Sequence, residues 1–289
     1  TTQNNAGYNF TSGTSYAAPH VSGAAALLLQ KNPNLHHHEI KSLLLTTVES
    51  VSDAYGQEFS IHETGAGRLD IGNAFDAKLI IMPPNFIVNL SSNNPVANQQ
   101  FELKLIEGSL KELDVNFEGP KFIKFAYFLE KNTLRIKMEM MEENFGDHEG
   151  KIIVNHENAR YVIPFLVHYT PGSVSVNQQN QKLSFEIYHP EEWSFAKILV
   201  TNSKDGKTDS TTTTSNTRAS IDIYENAEYW IDAKIRVNGN TSNAFNTIKI
   251  NSIPEDAYKL DIIKIPEKQI VIIVVIVTIV GTVGLIKRR

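Results

Sequence analysis

The chain has 289 residues, of which 41% are hydrophobic and 20% charged, with a formal net charge of -5 and a pI near 6.0. That is enough apolar material for two or three ordinary cores, without the basic excess that nucleic acid demands. Cysteine is absent, which excludes disulfides, thiolate metal sites and a cysteine nucleophile but does not fix the compartment.

The opening TTQNNAGYNF has no methionine, no basic start and no apolar core, so no signal peptide is read there and the chain reads as a fragment or a processed product. From Thr14 to Gln30 small residues give way to large apolar ones, with Ala24, Ala25, Leu28 and Leu29 at helical spacing. This predicts a deeply buried helix, broken by Asn32-Pro33-Asn34. A second helix is expected at about His38 to Thr47, with Ile40, Leu43, Leu44 and Thr47 on one face and Glu39 favourably placed in the first turn. Gly65-Ala66-Gly67 marks a tight turn before a short helix around Ile71 to Ala77.

After about residue 79 the period changes to two. FIVNL, FELKLI, TLRIKMEM, KIIVNH and YVIPFLVHY lie between Pro83-Pro84 and Pro171-Gly172, and predict a β-sandwich over 79–171. VSVNQ, KLSFEIYH, FAKILVTN, ASIDIY, YWIDAKIRV and FNTIKI predict a second one over 172–252. Both are expected to be of the immunoglobulin or fibronectin type III kind, with Thr208 to Thr217 as a polar loop. Trp193, Tyr229 and Trp230 suit a carbohydrate surface, but core packing is the default for such residues.

A linker is read over 253–268, followed by the uncharged run Ile270 to Ile286. At about 1.5 Å per residue the run spans roughly 26 Å, so a transmembrane helix is expected over 269–286, with Lys268 and the basic tail 287–289 closing the gap to the bilayer width. Basic residues directly after it predict a cytoplasmic C-terminus and an outward-facing bulk. A processed sorting signal is the competing reading. A single-pass cell-membrane protein with its C-terminal helix in the bilayer is therefore expected.

The most informative stretch is FTSGTSYAAPHVSG, residues 10–23. A serine at a helix start has its hydroxyl at the positive end of the dipole, and its own N–H can hold a developing oxyanion. Serine is also an ordinary N-cap. The whole run from Gly13, Thr14 and Ser15 through Pro19 to Gly23 resembles the nucleophile signature of subtilases, the subtilisin-like serine proteases. QKNPNLHHHEIKSLLLTTV resembles the segment that follows it, and Gly65, Gly67, Asp70 and Ala74 in GAGRLDIGNAFDA resemble the end of that family's catalytic domain.

The resemblance covers residues 1 to about 78. It implies the last part of an α/β subtilisin-like domain, a parallel sheet with helices, to which the period-two runs add two all-β modules and the uncharged run a membrane helix. It also implies peptide-bond hydrolysis on Ser15, polypeptide substrates and no cofactor, any calcium belonging to a part of the domain outside this chain.

The resemblance further implies an upstream Asp, His and oxyanion Asn. The fourteen residues before Ser15 hold no His or Asp, and Asn4, Asn5 and Asn9 are too close to serve, so the chain alone is expected to be inactive. His20 lies about 140° around the helix from Ser15. His36-His37-His38 diverge too far for a shared metal, and Glu139, Glu142 and Glu143 lack EF-hand spacing. Asn9, Asn89 and Asn240 begin glycosylation sequons compatible with exposure outside the cell. A non-catalytic surface protein carrying a subtilase remnant is the alternative reading.

Overall fold

The computed structural model describes residues 12–110 and 113–251. Its first part is helical: α1 (Thr14–Lys31), α2 (His37–Thr46), α3 (Ile61–Thr64) and α4 (Ile71–Asp76). The helices begin and end where local chemistry dictates. Asn32 closes α1 and Lys31 sits in its last turn. At α2 the Glu39 carboxylate accepts the His36 backbone N–H at 2.8 Å, which is half of a capping box. Ser60 caps α3 and Asp70 caps α4.

Two β-sandwiches follow. In the first, β1 (Leu79–Met82), β3 (Val96–Leu105), β5 (Ile123–Glu130) and β6 (Thr133–Met140) form an antiparallel sheet in the order β1-β3-β6-β5. It faces β2 (Phe86–Ser91), β4 (Leu113–Glu118), β7 (Gly146–His156) and β8 (Ala159–Thr170), ordered β2-β8-β7-β4. The chain switches sheets between β1 and β2, across the cis Met82–Pro83 peptide. Alternation explains the strands: in TLRIKMEM, Leu134, Ile136, Met138 and Met140 point inward while Arg135 and Lys137 face water, as a half-buried strand requires. β8 departs from alternation, with Tyr161 to Val167 all buried, because α2 covers its outer side.

The second sandwich has three strands on four. β9 (Ser173–Gln179), β10 (Lys182–Tyr188) and β13 (Ala219–Asp222) face β11 (Trp193–Asn202), β12 (Thr208–Thr214), β14 (Glu228–Val237) and β15 (Asn240–Lys249), ordered β12-β11-β14-β15. Tyr229 at the start of β14 donates to the Glu225 carbonyl at 2.9 Å, the tyrosine corner of immunoglobulin-like sandwiches. This sandwich has its own apolar core, built around Leu183, Phe185, Ile198 and Ile231.

Several expectations need correction. The described chain is mainly β, without the parallel α/β sheet expected of its first part; among the described residues the only parallel pairing is β2 with β8, inside the first sandwich. No helix among the described residues is long and apolar enough to cross a membrane, against the expected transmembrane helix. The segment assigned to it, with the linker and basic tail, lies outside the described residues.

The expected loop at Thr208 to Thr217 begins as β12, an edge strand paired with β11. A polar strand is tolerated at an edge because only one side of it needs to pair, and the Thr213 hydroxyl is satisfied by the Thr217 carbonyl at 2.6 Å. Trp193 packs against the second core and Tyr229 lies within it, whereas Trp230 is half exposed on the outer face of β14.

Candidate active site

Ser15 is the second residue of α1 and is exposed. Gly13 precedes the helix at φ 153°, where a Cβ would meet the Tyr16 ring at 3.4 Å, so the entry into the helix suits glycine. The first intrahelical bonds run from the Tyr16 and Ala17 N–H groups to the Gly13 carbonyl. The N–H groups of Thr14 and Ser15 precede that ladder and have no acceptor within the helix. Pro19 lies inside α1 and carries no N–H for the carbonyl four residues back, that of Ser15. The local result is an exposed serine in the first turn, at the positive end, of an 18-residue helix.

His20 is turned into its own helix, its Nδ1 donating to the Tyr16 carbonyl at 2.8 Å. The His36 and His38 rings stack at 5.5 Å and His37 meets His38 edge-on at 5.3 Å, an arrangement of rings at a helix start. Glu139 pairs with Lys137 on its own strand at 3.2 Å. Ser15 is thus placed in an open position without any of these groups converging on it.

The other motif residues hold the helix. Gly67 sits at φ 137°, and a Cβ there would lie 2.4 Å from the Glu49 carbonyl oxygen; the backbones of Glu49 and Arg68 bond reciprocally at this point, at 2.8 and 2.9 Å, and their side chains form an ion pair. Asp70 accepts the Asn73 N–H at 2.8 Å and caps α4. Ala74 is buried in one cluster with Ala24 and Leu28 of α1, where a small side chain permits close helix approach. Lys31 reaches from the end of α1 to the Phe75 carbonyl and lies 4.4 Å from its ring centroid.

The sequence gives no sign of what braces this platform, because the partners lie far along the chain. The core is continuous from Ala24 to Tyr169. Ser42 on α2 donates to the Ile81 carbonyl on β1 at 2.5 Å. Glu39, its side chain 3% exposed, pairs with Lys104 on β3. Burial alone raises its pKa, but the Lys104 contacts and the His36 N–H together bring it below the usual carboxylate range. Glu58 is held below that range chiefly by its hydrogen bond to Lys151 on β7. Glu149 on β7 accepts from Ser60 Oγ at 3.0 Å and the Ile61 N–H at 2.9 Å. Tyr161 on β8 accepts two N–H groups at the exit from α4, Lys78 at 2.9 Å and Leu79 at 3.0 Å.

Most of α1 remains uncovered, its first ten residues entirely so. Tyr16, Val21, Leu27 and Leu29 are each exposed, and only Ala24 and Leu28 are buried. The deep burial expected of this helix from its apolar spacing is therefore confined to two positions of its C-terminal half. α2 instead buries Ile40, Leu43 and Leu44 against the first sandwich, which substitutes for the sheet expected there.

Residues 1–67 match the family model described as the Subtilase family. The chain is 26% identical over 161 residues to the minor extracellular protease Vpr of Bacillus subtilis, covering 51% of this chain and 20% of that one. It is 26% identical over 199 residues to the subtilisin-like protease SBT4.10 of Arabidopsis thaliana, covering 62% and 26%. With fervidolysin of Fervidobacterium pennivorans it shares 40% over 72 residues, covering 25% and 10%.

The chain spans between a fifth and about a quarter of the length of the first two of these relatives. Alignments of such length reach past the helical segment into the β-rich part, beyond the 78 residues that carry the motifs. Among solved structures it is similar to the fn3 domain of human collagen alpha-1(XX) chain, at 12% identity and TM-score 0.27, covering 29% of this chain and 83% of that one. It is also similar to the adhesin InvE of Yersinia pseudotuberculosis, at 12% and 0.23, covering 63% and 60%.

Proposed function

We propose that this chain, whose residues 1–67 match the subtilase family, is the C-terminal part of an extracellular subtilisin-like serine endopeptidase with Ser15 as its nucleophile. The observation that carries the reading is Ser15 itself, exposed in the first turn of α1 inside an unbroken Gly13-Thr14-Ser15…Pro19 motif. The extracellular setting is supported by the similarity to a protease named as extracellular.

In this reading Ser15 Oγ attacks the scissile carbonyl carbon of a polypeptide substrate. Its proton passes to a base from another part of the protease and then to the leaving amine, as the C–N bond breaks. Water hydrolyses the resulting acyl ester and restores the hydroxyl. The Ser15 N–H, free of any helical acceptor, donates to the oxyanion of the tetrahedral intermediate, where the helix dipole also favours negative charge.

A fluorophosphonate probe applied to the full-length gene product tests this directly. Labelling is expected at Ser15 and lost in Ser15→Ala. Labelling that persists in Ser15→Ala, or a folded full-length product that never labels and cleaves no denatured protein, refutes it.

A further inference from the structure

The second sandwich carries a cleft that the protease reading leaves unused. Its floor is the outer face of the β11-β14-β15 sheet, and its wall comes from β2, β7 and β8 of the first sandwich. The cleft encloses about 670 Å³, within the roughly 300–1,000 Å³ range of small-molecule sites.

Alternation sets the floor. Trp230 and Asp232 point outward from β14, and Phe245 and Thr247 from β15. The register pairs Trp230 with Thr247 and Asp232 with Phe245, so the two aromatic rings stand diagonally on one face with the carboxyl beside them. Trp230 is 52% exposed and Phe245 37%, although large aromatics are normally packed away.

The polar groups are equally telling. Asp232 Oδ1 is shut off from solvent yet makes no hydrogen bond to the described residues, and burial holds its carboxyl above the usual range. An unpaired buried oxygen is unfavourable, and rotation of the carboxyl toward a bound donor would satisfy it. Asn89, Asn243 and Thr201 add amides and a hydroxyl to the lining, and no lysine or arginine contributes to it. The remaining acid, Asp147, is paired with His168 at 2.6 Å. Phosphorylated or polyanionic ligands therefore find no countercharge. Exposed aromatic faces combined with amide, hydroxyl and carboxyl groups fit a ligand with apolar C–H faces and a rim of hydroxyls.

We propose that this cleft binds an uncharged oligosaccharide, one ring stacked on Trp230 and the next on Phe245, with sugar hydroxyls bonded to Asp232, Asn89 and Asn243. The site would tether the protein to a glycan-bearing surface, and it is independent of any catalysis at Ser15.

The test uses the full chain with three probes: cellohexaose, mannohexaose and N-acetylchitohexaose. Affinity is read by isothermal titration calorimetry on the parent and on every variant; in Trp193→Phe, which leaves Trp230 as the sole indole, a saturable change in emission and protection from acrylamide quenching locate the bound sugar at the cleft. At least one probe is expected to bind, with affinity falling about tenfold or more in Trp230→Ala and in Phe245→Ala, while the melting temperature stays near that of the parent. Asp232→Asn, which keeps the shape and changes the bonding, is expected to alter the affinity as well. No binding by any of the three probes overturns the proposal, as does binding that survives Trp230→Ala. Displacement of the bound sugar by a denatured polypeptide would overturn it in favour of a peptide exosite.

Discussion

Tyr161→Phe isolates the joint between the helical platform and the first sandwich. The Tyr161 ring is fully buried and phenylalanine keeps its packing, so the change removes little but the hydroxyl. That oxygen accepts from the Lys78 and Leu79 N–H groups at 2.9 and 3.0 Å. Leu79 is fully buried and bears the whole cost of an unpaired donor, about 1–3 kcal/mol. Lys78 is partly exposed and can recruit water, so it falls at the low end of that range. The sum is about 2–4 kcal/mol.

Because the two sandwiches have separate cores, urea should unfold them in two transitions, and only the one involving Tyr161 should move. With a slope near 2–3 kcal/mol/M for a unit of this size, its midpoint drops by roughly 1 M. Tyr229→Phe is the reciprocal control, since that hydroxyl belongs to the second core's corner; it should shift the other transition by about 1 kcal/mol. A loss below about 0.5 kcal/mol for Tyr161→Phe, or joint movement of both transitions, refutes the argument.

The same transition should be acid-sensitive. The folded-state pKa values of Glu39 and Glu58 are lowered, so their stabilising effect is complete above the unfolded carboxylate value near 4.5 and is lost as pH falls through the lowered folded values. A urea midpoint that declines below about pH 4.5, with a shallower decline in Glu39→Gln, is expected; a decline unchanged in that variant removes Glu39 from the account. Amide exchange should divide the two long helices. The first half of α1, exposed through Gly23, should exchange much faster than α2 at Leu43 and Leu44, and equal protection would contradict the packing described here.

How far the sequence could be read follows from the range of each interaction. The period-two runs such as TLRIKMEM and YWIDAKIRV mark strands because inward and outward residues alternate along the chain itself. The motif around Gly13 and Ser15, and the Gly67, Asp70 and Ala74 set, are also local, and each finds a local structural reason. What escaped was non-local. Tyr161 lies 83 residues from Lys78 and Glu149 lies 89 from Ser60, and no spacing in the sequence announces such pairs. β5 escaped because it is an edge strand on which Tyr127 and Phe128 are both exposed, which breaks the alternation. β12 was missed for the opposite reason, since its threonines satisfy one another rather than an apolar core. Core packing was the default for Trp230 by residue type, whereas the alternation of YWIDAKIRV sets it with Asp232 and Lys234 on the outward face.

The uneven burial of α1 links these observations. Its C-terminal half is held by Ala24 and Leu28 against α4 and by Lys31 on Phe75, while its N-terminal half, with Ser15, stands clear. α4 is fixed in turn by its Asp70 cap and by the Tyr161 hydroxyl just beyond its end, and α2 by Ser42 and Glu39 on β1 and β3. The position of the serine is therefore set through the first sandwich, whose core is the same as that of the helices. The second sandwich, by contrast, has a core of its own. Cutting the chain between α4 and β1 should thus expose α2's apolar face and release α1, whereas a cut between β8 and β9 leaves both cores intact.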